Sequence, residues 1–526
     1  MGTHYRIARL LVSACLWSCA GISARADSDV HAVPAARFLD SIGVNSAIAV
    51  RGENLQKTIE CTRYLGIRWF RCGPESGVKY DDCIEIHRQT GARFSWGLGS
   101  GGTDLTKLLS TAKPLAAAGA LLAFEGNNEP NNWGVTRQGE AGGGNKSWMP
   151  VAKLQRDLYA AVKSDPALKA YPVFSISEGG AETDNVGLQF LTIPPDAGTT
   201  MPAGTRYADF ANVHNYVYHP NAPGLEDNKT WKASDPSPAC RVDGLYGEYG
   251  LTWGRRYRGY SVAELEHLPR VTTETGCTID GPVTEEIHAL NLLSLYLDQL
   301  KRGWSYTAVY LLRDRVDEGG NQKFGFYKPD YTPRKAGIYL HNLTTILAEH
   351  LPQPPPSQGG GSTARRLPRS PPSQGGGSTA KRLPRSRPSQ GGGSTARRLP
   401  RSRPLQGGGY AEPSPPTPSP RNRRGGYSDR GAAAKAARLA YSLSNQPDTV
   451  HDMLLEKADG TLELVVWGEM VKGSANVEVR LGATYTNVRV YDPTVGTEPI
   501  RTLTHAFAVP LTMTDHPFII EIPRKK

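Results

Sequence analysis

Short apolar runs recur through the first two thirds of the chain, and most are followed by a stretch with helical spacing. Ser41 to Asn45, Ile67 to Arg71, Ala92 to Gly97, Leu121 to Glu125, Tyr171 to Ser177, Tyr207 to Val213, Val271 to Glu274 and Tyr306 to Leu312 read as strands. Each is rich in aliphatic, β-branched or aromatic residues and bounded by polar or turn-forming ones, the pattern of extended backbone buried on both faces. Between them Leu55 to Leu65, Asp82 to Gln89, Leu105 to Ala118, Val151 to Lys163, Glu285 to Lys301 and Arg334 to Leu351 carry apolar side chains at helical period. Strands and helices in alternation predict an α/β fold, a closed parallel (β/α)8 TIM barrel spanning residues 27–351.

After Leu351 the pattern stops. A 16-residue unit of Pro, Gly, Ser and Arg begins at Pro356, Pro372 and Pro388 and decays after Pro404. Each unit carries one leucine, too little apolar surface to bury a core, so residues 352–430 are expected to be a disordered basic linker. As a flexible coil such a tether would reach on the order of 50 Å. From Leu439 the period changes to two. Met453 to Lys457, the turn pair Asp459-Gly460 and Thr461 to Trp467 predict a hairpin. Further short runs at 476–481, 487–491, 506–511 and 518–522 complete a small all-β sandwich over 431–526.

Charge changes the picture only by its location. The formal net charge is +11, yet residues 352–430 hold 15 Lys plus Arg against 2 Asp plus Glu. Outside that segment and the leader the chain is mildly acidic, and the basic units lack the aromatic interleaving of nucleic-acid binders. They suit a solvated spacer or electrostatic contact with anionic surface polymers. Residues 1–26 read as a secretory leader: Arg6 and Arg9 precede an apolar stretch that ends in Ala24-Arg25-Ala26, a cleavage signal. That stretch is too short to span a bilayer, and no later run is long enough, so no membrane span is expected. Of seven cysteines, Cys61, Cys72, Cys83, Cys240 and Cys277 lie beyond the leader. Their odd number leaves at least one free or paired between chains, and no spacing reads as a metal site.

Two carboxylates stand where chemistry is done. Leu121 to Glu125 runs into Gly126-Asn127-Asn128-Glu129-Pro130-Asn131-Asn132-Trp133, and Arg270 to Thr273 runs into Glu274. Both glutamates fall at the carboxyl end of an expected barrel strand, the catalytic face of such folds. A pair of glutamates on one face is the equipment of a glycosidase.

Asn128-Glu129-Pro130 followed far downstream by Glu274 resembles the clan A glycoside hydrolases. The following Asn131 makes family 39 the best resemblance, with families 5 and 30 near, over roughly residues 38–351. The resemblance implies a retaining hydrolase acting on oligo- or polysaccharides without cofactor or metal. It implies Glu129 as acid/base and Glu274 as nucleophile. Asn128 matches the residue that bonds the sugar 2-hydroxyl, Arg71 the arginine that contacts the nucleophile. His214 and Tyr216 match a His-x-Tyr motif beside it. As proton donor, Glu129 would need a pKa raised by burial and by a neighbouring carboxylate. Trp133 and Trp253, with Trp96 and Trp148, are candidate stacking surfaces, although core or loop packing is the commoner role for any single one of them. Glu178 is a rival strand-end carboxylate, and Glu125 reads as an arginine partner inside the barrel. The clan often ends its eighth strand in tryptophan; here that end is Leu311-Leu312-Arg313-Asp314. A transglycosylase, a non-catalytic carbohydrate-binding protein and an adhesion protein working through its basic segment remain as alternatives.

Overall fold

The computed structural model describes residues 28–144, 147–177, 179–181, 202, 204–217, 225–235, 268–317, 323–348 and 437–524. The expected leader, the basic segment, Glu178 and Trp253 lie outside the described residues.

In chain order the elements begin with β1 (Ser28–His31), β2 (Val33–Pro34), α1 (Ala35–Ser41), β3 (Ile42–Asn45), α2 (Leu55–Leu65), β4 (Trp69–Cys72) and α3 (Tyr80–Thr90). They continue with β5 (Arg93–Gly97), α4 (Leu105–Ala117), β6 (Leu121–Glu125), the small hairpin β7 (Val135–Arg137) and β8 (Glu140–Gly142), and α5 (Met149–Ser164). Then come β9 (Val173–Phe174), β10 (Gly179–Ala181), β11 (Ala211–Tyr216), α6 (Lys229–Ala233), β12 (Arg270–Thr275), α7 (Glu285–Lys301), β13 (Trp304–Val309) and α8 (Lys335–Leu347). The C-terminal part holds β14 (Arg438–Ser444), β15 (Val450–Glu456), β16 (Leu462–Gly468), β17 (Ala475–Tyr491), β18 (Arg501–Met513) and β19 (Pro517–Ile522).

One sheet runs β10-β11-β12-β13-β3-β4-β5-β6-β9. The segment holding β9 and β10 supplies one barrel strand in two pieces, and a parallel bridge between Phe174 and Phe210 brings the two ends of the sheet together. The result is a nearly closed parallel barrel of eight strands, as the alternation of elements predicts. Its interior is layered. Trp69, Leu122, Ala123, Phe174, Val271 and Ala308 form an apolar floor. Two residues beyond Ala123 and Val271 stand the buried polar residues Glu125 and Thr273, and Asn212 of β11, two residues beyond the partly buried Phe210, joins them. Alternation along a strand sends every second side chain inward, so a polar layer directly above an apolar one follows from the sequence. Helix ends are set by local chemistry: Asn54 caps α2 through Lys57 N, and Gly66 closes it in the left-handed conformation.

The C-terminal strands form a sheet in the order β1-β14-β17-β19-β16-β15-β2, with β18 on β17, antiparallel throughout except that β2 runs parallel to β15. The expected hairpin is present, Glu456 facing Leu462 across the loop that holds Gly460. The runs at 476–481 and 487–491 are one strand, β17, whose register shifts between Arg480 and Tyr485. Before that irregularity it pairs with β14 and after it with β19. The sheet also takes in β1 and β2 from the start of the chain, strands too short and polar to be legible beforehand.

The expectation of a C-terminal part held at the end of a long tether needs correction. Met453, Leu455, Val465, Trp467, Tyr491 and Ile519 belong to the same apolar core as α1, α7 and α8 of the barrel. The buried Trp467 indole donates to Asp298 Oδ1 of α7 at 2.8 Å, and Asn342 of α8 donates to Pro493 O at 2.8 Å. Packing of this extent joins barrel and sheet into one body, so segment length does not set their separation. Among the described residues no helix is long and apolar enough to cross a membrane.

Candidate active site

Four strand ends build the site. β4 carries Arg71 as its last residue but one, β6 leads into the Asn128-Glu129 loop, β11 carries His214 and Tyr216, and β12 carries Glu274. His214 and Tyr216 lie within the sixth barrel strand rather than in the loop after it. β12 is irregular where it matters: its register against both neighbours shifts around Thr273 and Glu274. A bulge re-aims side chains, so consecutive residues Thr273 and Glu274 both reach the site instead of alternating.

Below the site, Glu125 is fully buried. Arg71 donates to it through Nε at 3.2 Å and Nη2 at 3.0 Å. Thr273 Oγ1 at 2.8 Å, Ser95 Oγ at 3.2 Å and Asn212 Nδ2 at 3.3 Å complete its partners. Arg71 turns its other edge upward, donating to Asn128 Oδ1 at 2.8 Å and, through Nη1, to Glu274 Oε1. Burial alone would lower the Arg71 pKa, but the charges of Glu125 and Glu274 outweigh it and raise it further. Tyr216 Oη donates to the second oxygen of Glu274 at 2.8 Å. Burial, then the Glu274 charge, pushes the Tyr216 hydroxyl well above its ordinary value, which keeps it a donor.

Glu129 is positioned by an unusual backbone. Its φ is +41°, in the left-handed region that glutamate seldom occupies, a strain of about 1–3 kcal/mol that the surroundings must hold. Asn132 N and Trp133 N both donate to Glu129 O at 2.8 Å, closing a tight turn. Gly126 permits the approach, since a Cβ there would lie 2.0 Å from Gln155 Oε1 and 2.8 Å from Ile176 N. The carboxylate accepts from Asn132 Nδ2 at 2.8 Å through Oε2 and faces His214 Nδ1 at 2.7 Å through Oε1.

The buried His214 bridges the two glutamates, with Nδ1 also 3.6 Å from Glu274 Oε2. Its Nε2 lies 3.1 Å from Thr273 Oγ1. Because Thr273 gives its proton to Glu125, its oxygen accepts from Nε2–H, which leaves Nδ1 to share a proton with Glu129. The raised pKa expected for Glu129 is not found. Burial raises it, but the hydrogen bond and charge of His214, then Asn132 and Arg71, more than offset burial and hold it below the ordinary carboxylate value.

Glu129, His214 and Glu274 each place one potential metal-binding atom within 4.8 Å of the others. Those atoms already engage one another and Arg71, Tyr216 and Asn132, so the donor set is consumed internally.

Six of the eight site residues named from sequence therefore converge: Arg71, Asn128, Glu129, His214, Tyr216 and Glu274. Trp133 stands one turn beyond Glu129 and is 53% exposed, unlike the buried Trp96 and Trp148, whose indoles bond Thr111 and Gly144 O. Asn132, Thr273 and Tyr310 were not foreseen. Asn132 has a sequence signal, a polar residue three positions after a turn glutamate. Tyr310, directly after β13, packs its ring 6.3 Å from that of Tyr216 and 5.6 Å from Phe324, centroid to centroid. An aromatic thus borders Tyr216, the hydrogen-bond partner of Glu274, although no tryptophan ends this strand.

No protein-family model matches the chain, and no curated protein matches it in sequence. Its structural neighbours include glycoside hydrolases, and the likeness to one of them shows a shared barrel fold. One is a family 39 glycoside hydrolase from the gut symbiont Bacteroides cellulosilyticus WH2, 11% identical over 93% of this chain and 82% of that one, with a TM-score of 0.51. Another is CelM2, a bifunctional glucanase-xylanase from a metagenome library, 11% identical over 94% of this chain and 97% of that one, with a TM-score of 0.46.

Proposed function

We propose that the protein is a retaining O-glycoside hydrolase that cleaves oligo- or polysaccharides by double displacement. One observation carries the reading: Glu129 and Glu274 rise from the fourth and seventh barrel strands with a carboxylate oxygen of each within 4.8 Å of the other and of one imidazole nitrogen. Retaining enzymes hold their carboxyl groups about 5–5.5 Å apart, whereas inverting ones leave about 6.5–9.5 Å for a water between them.

In the first step a Glu274 oxygen attacks the anomeric carbon while Glu129 delivers a proton to the departing glycosidic oxygen. The proton comes from the store shared with His214. Arg71 and Tyr216 fix the attacking carboxylate and stabilise it when it departs again. In the second step Glu129 takes a proton from water, which attacks the same carbon and releases Glu274. Asn128, anchored by Arg71 and by its own bond to Ser100 Oγ at 3.0 Å, would face the sugar beside the nucleophile. The half-exposed Trp133 would stack on the leaving portion of the substrate. Export by the N-terminal leader and contact of residues 352–430 with anionic polymers belong to the same proposal.

The test is a panel of aryl glycosides and polysaccharides with wild type, Glu129→Gln and Glu274→Gln. With a hydrolysed sugar in hand, its 2-deoxy-2-fluoro derivative should label Glu274, read by peptide mass, and the first product seen by NMR should keep its anomeric configuration. An inverted product, or label elsewhere, overturns the mechanism. Products built on an added sugar acceptor would redirect the reading to transglycosylation. Unchanged behaviour of both variants would leave only a binding role.

A further inference from the structure

Asn132 is bonded unlike the asparagines beside it. Asn128 is held at both ends of its amide, by Arg71 Nη2 at 2.8 Å and by Ser100 Oγ at 3.0 Å. Asn131 is held likewise, donating to Gly179 O at 3.1 Å and accepting from Gly179 N at 3.2 Å. Asn132 donates through Nδ2 to Glu129 Oε2 at 2.8 Å, while its Oδ1 is buried and meets no donor among the described residues. A buried acceptor without a donor calls for an explanation. Turning the amide of Asn128 or Asn131 end for end would break two bonds. Turning that of Asn132 breaks one and sets an acceptor where the donor stood, with almost no change of shape. Its backbone need not move, since Asn132 N stays on Glu129 O at 2.8 Å.

Under the glycosidase reading, on which this rests, Glu129 alternates between acid and carboxylate, and the two forms need opposite partners. His214 Nδ1 faces Oε1 at 2.7 Å and can hold or release a proton there. A proton on Oε1 points at the imidazole, so the one offered to a glycosidic oxygen stands on Oε2. We propose that Asn132 is a positioning residue whose amide turns with that proton, Nδ2 donating to the ionised Oε2 and Oδ1 accepting from the protonated one. Before delivery the turned amide holds Oε2–H in place. After delivery it turns back and steadies the carboxylate that next takes a proton from water.

The charged and titratable groups around Glu129 are His214 and Tyr216 of β11, Glu274 of β12, Arg71 of β4 and Glu125 of β6. Their hydrogen bonds go to one another, to Asn128, Asn212, Ser95 and Thr273, and none goes to the Asn132 amide. Asn132 is thus the partner that decides how Oε2 is served. A partner that serves both forms equally leaves their balance untouched, whereas a fixed donor favours the carboxylate alone.

Full-length wild type is compared with Asn132→Ala, which removes the amide, and Asn132→Asp, which keeps its size. Two readouts are followed across pH: kcat/KM for aryl glycosides of graded leaving-group acidity, and the carboxylic-acid C=O stretch of Glu129 in the infrared, assigned with Glu129→Gln. Asn132→Ala should lower kcat/KM about tenfold for poor leaving groups, which need the acid, and stay within about twofold for dinitrophenyl ones, which do not. The pH at which Glu129 ionises should stay within about 0.3 of wild type in Asn132→Ala, because both forms lose one bond. Asn132→Asp adds a second carboxyl and should raise that midpoint by about one unit, showing that the position is felt. An upward shift of about one unit in Asn132→Ala would make Asn132 a fixed donor and overturn the proposal. Wild-type rates in Asn132→Ala, or a wild-type midpoint in Asn132→Asp, would overturn it as well. The infrared titration needs no substrate, so a protein that cleaves no glycoside would refute the glycosidase reading while the midpoints still decide this one.

Discussion

Glu125 offers the sharpest perturbation because it lies four residues before Glu129, the acid/base of the proposed mechanism, yet is fully buried beneath it. In Glu125→Gln the buried Arg71 loses the carboxylate it meets through Nε and Nη2 and keeps only Glu274 and Asn128. Removing one member of a buried ion pair costs about 3–5 kcal/mol, and a hydrogen bond to a charged group is worth about 1.5–3 kcal/mol. The glutamine oxygen still accepts from Arg71 or Thr273, so the expected loss of stability is about 3 kcal/mol. Arg71 positions both Asn128 and Glu274, and a misplaced nucleophile should lower kcat/KM by about 10–100-fold, at about 1.4 kcal/mol per factor of ten. Denaturant unfolding gives the first number and steady-state hydrolysis of an activated aryl glycoside the second. Azide should restore turnover to Glu129→Ala, where it replaces a missing acid/base in the second step, but not to Glu125→Gln. A variant with wild-type stability and rate, or one rescued by azide, would refute the supporting role.

Three other outcomes follow from the geometry. Trp133→Ala should raise KM for oligosaccharides several-fold and leave small aryl glycosides within about twofold, since about 0.5–1.5 kcal/mol of stacking is lost on the leaving-group side only. Glu463 in β16 is fully buried, and its carboxyl is pushed up to about 8 by burial, with Lys457 pulling the other way. A raised acid holds its proton in the folded state between its unfolded value and about 8, so stability should fall as pH rises through that window. The slope, read from denaturation midpoints at several pH values, should flatten in Glu463→Gln. Trp467→Phe removes the indole donor to the buried Asp298, leaving an unsatisfied acceptor between barrel and sheet. It should destabilise by about 1–3 kcal/mol in chemical unfolding.

Barrel strands were legible because strands buried on both faces read as continuous apolar runs, Leu121 to Phe124 being the plainest. The fifth was legible too, at Tyr171 to Ser177, but not the splitting of its pairing: Val173–Phe174 pairs with β6, and Gly179–Ala181 pairs with β11. Glu129 and Glu274 announced themselves as carboxylates at strand ends. The proton-sharing role of His214 was hidden, since it depends on Thr273 and Glu125 arriving from other strands. The same holds for the lowered pKa of Glu129: burial can be guessed from an apolar context, but the imidazole that outweighs it comes from a strand 85 positions away in sequence. Asn132 and Tyr310 act through ring and amide contacts that no periodicity encodes. The union of barrel and sheet was likewise invisible, because Trp467 and Tyr491 look like ordinary strand residues until α7 and α8 are placed against them.

The two short strands at the start of the chain have a consequence for how the molecule comes into being. Val30 pairs with Leu439 and Val33 with Leu455, so partners separated by roughly 400 positions must meet before this sheet is whole, a long wait for whichever is synthesised earlier. During synthesis the barrel can close while that leading segment has nothing to bind. Removing it, even with every barrel residue intact, would strip β14 and β15 of partners and expose two bare strand edges to neighbouring molecules.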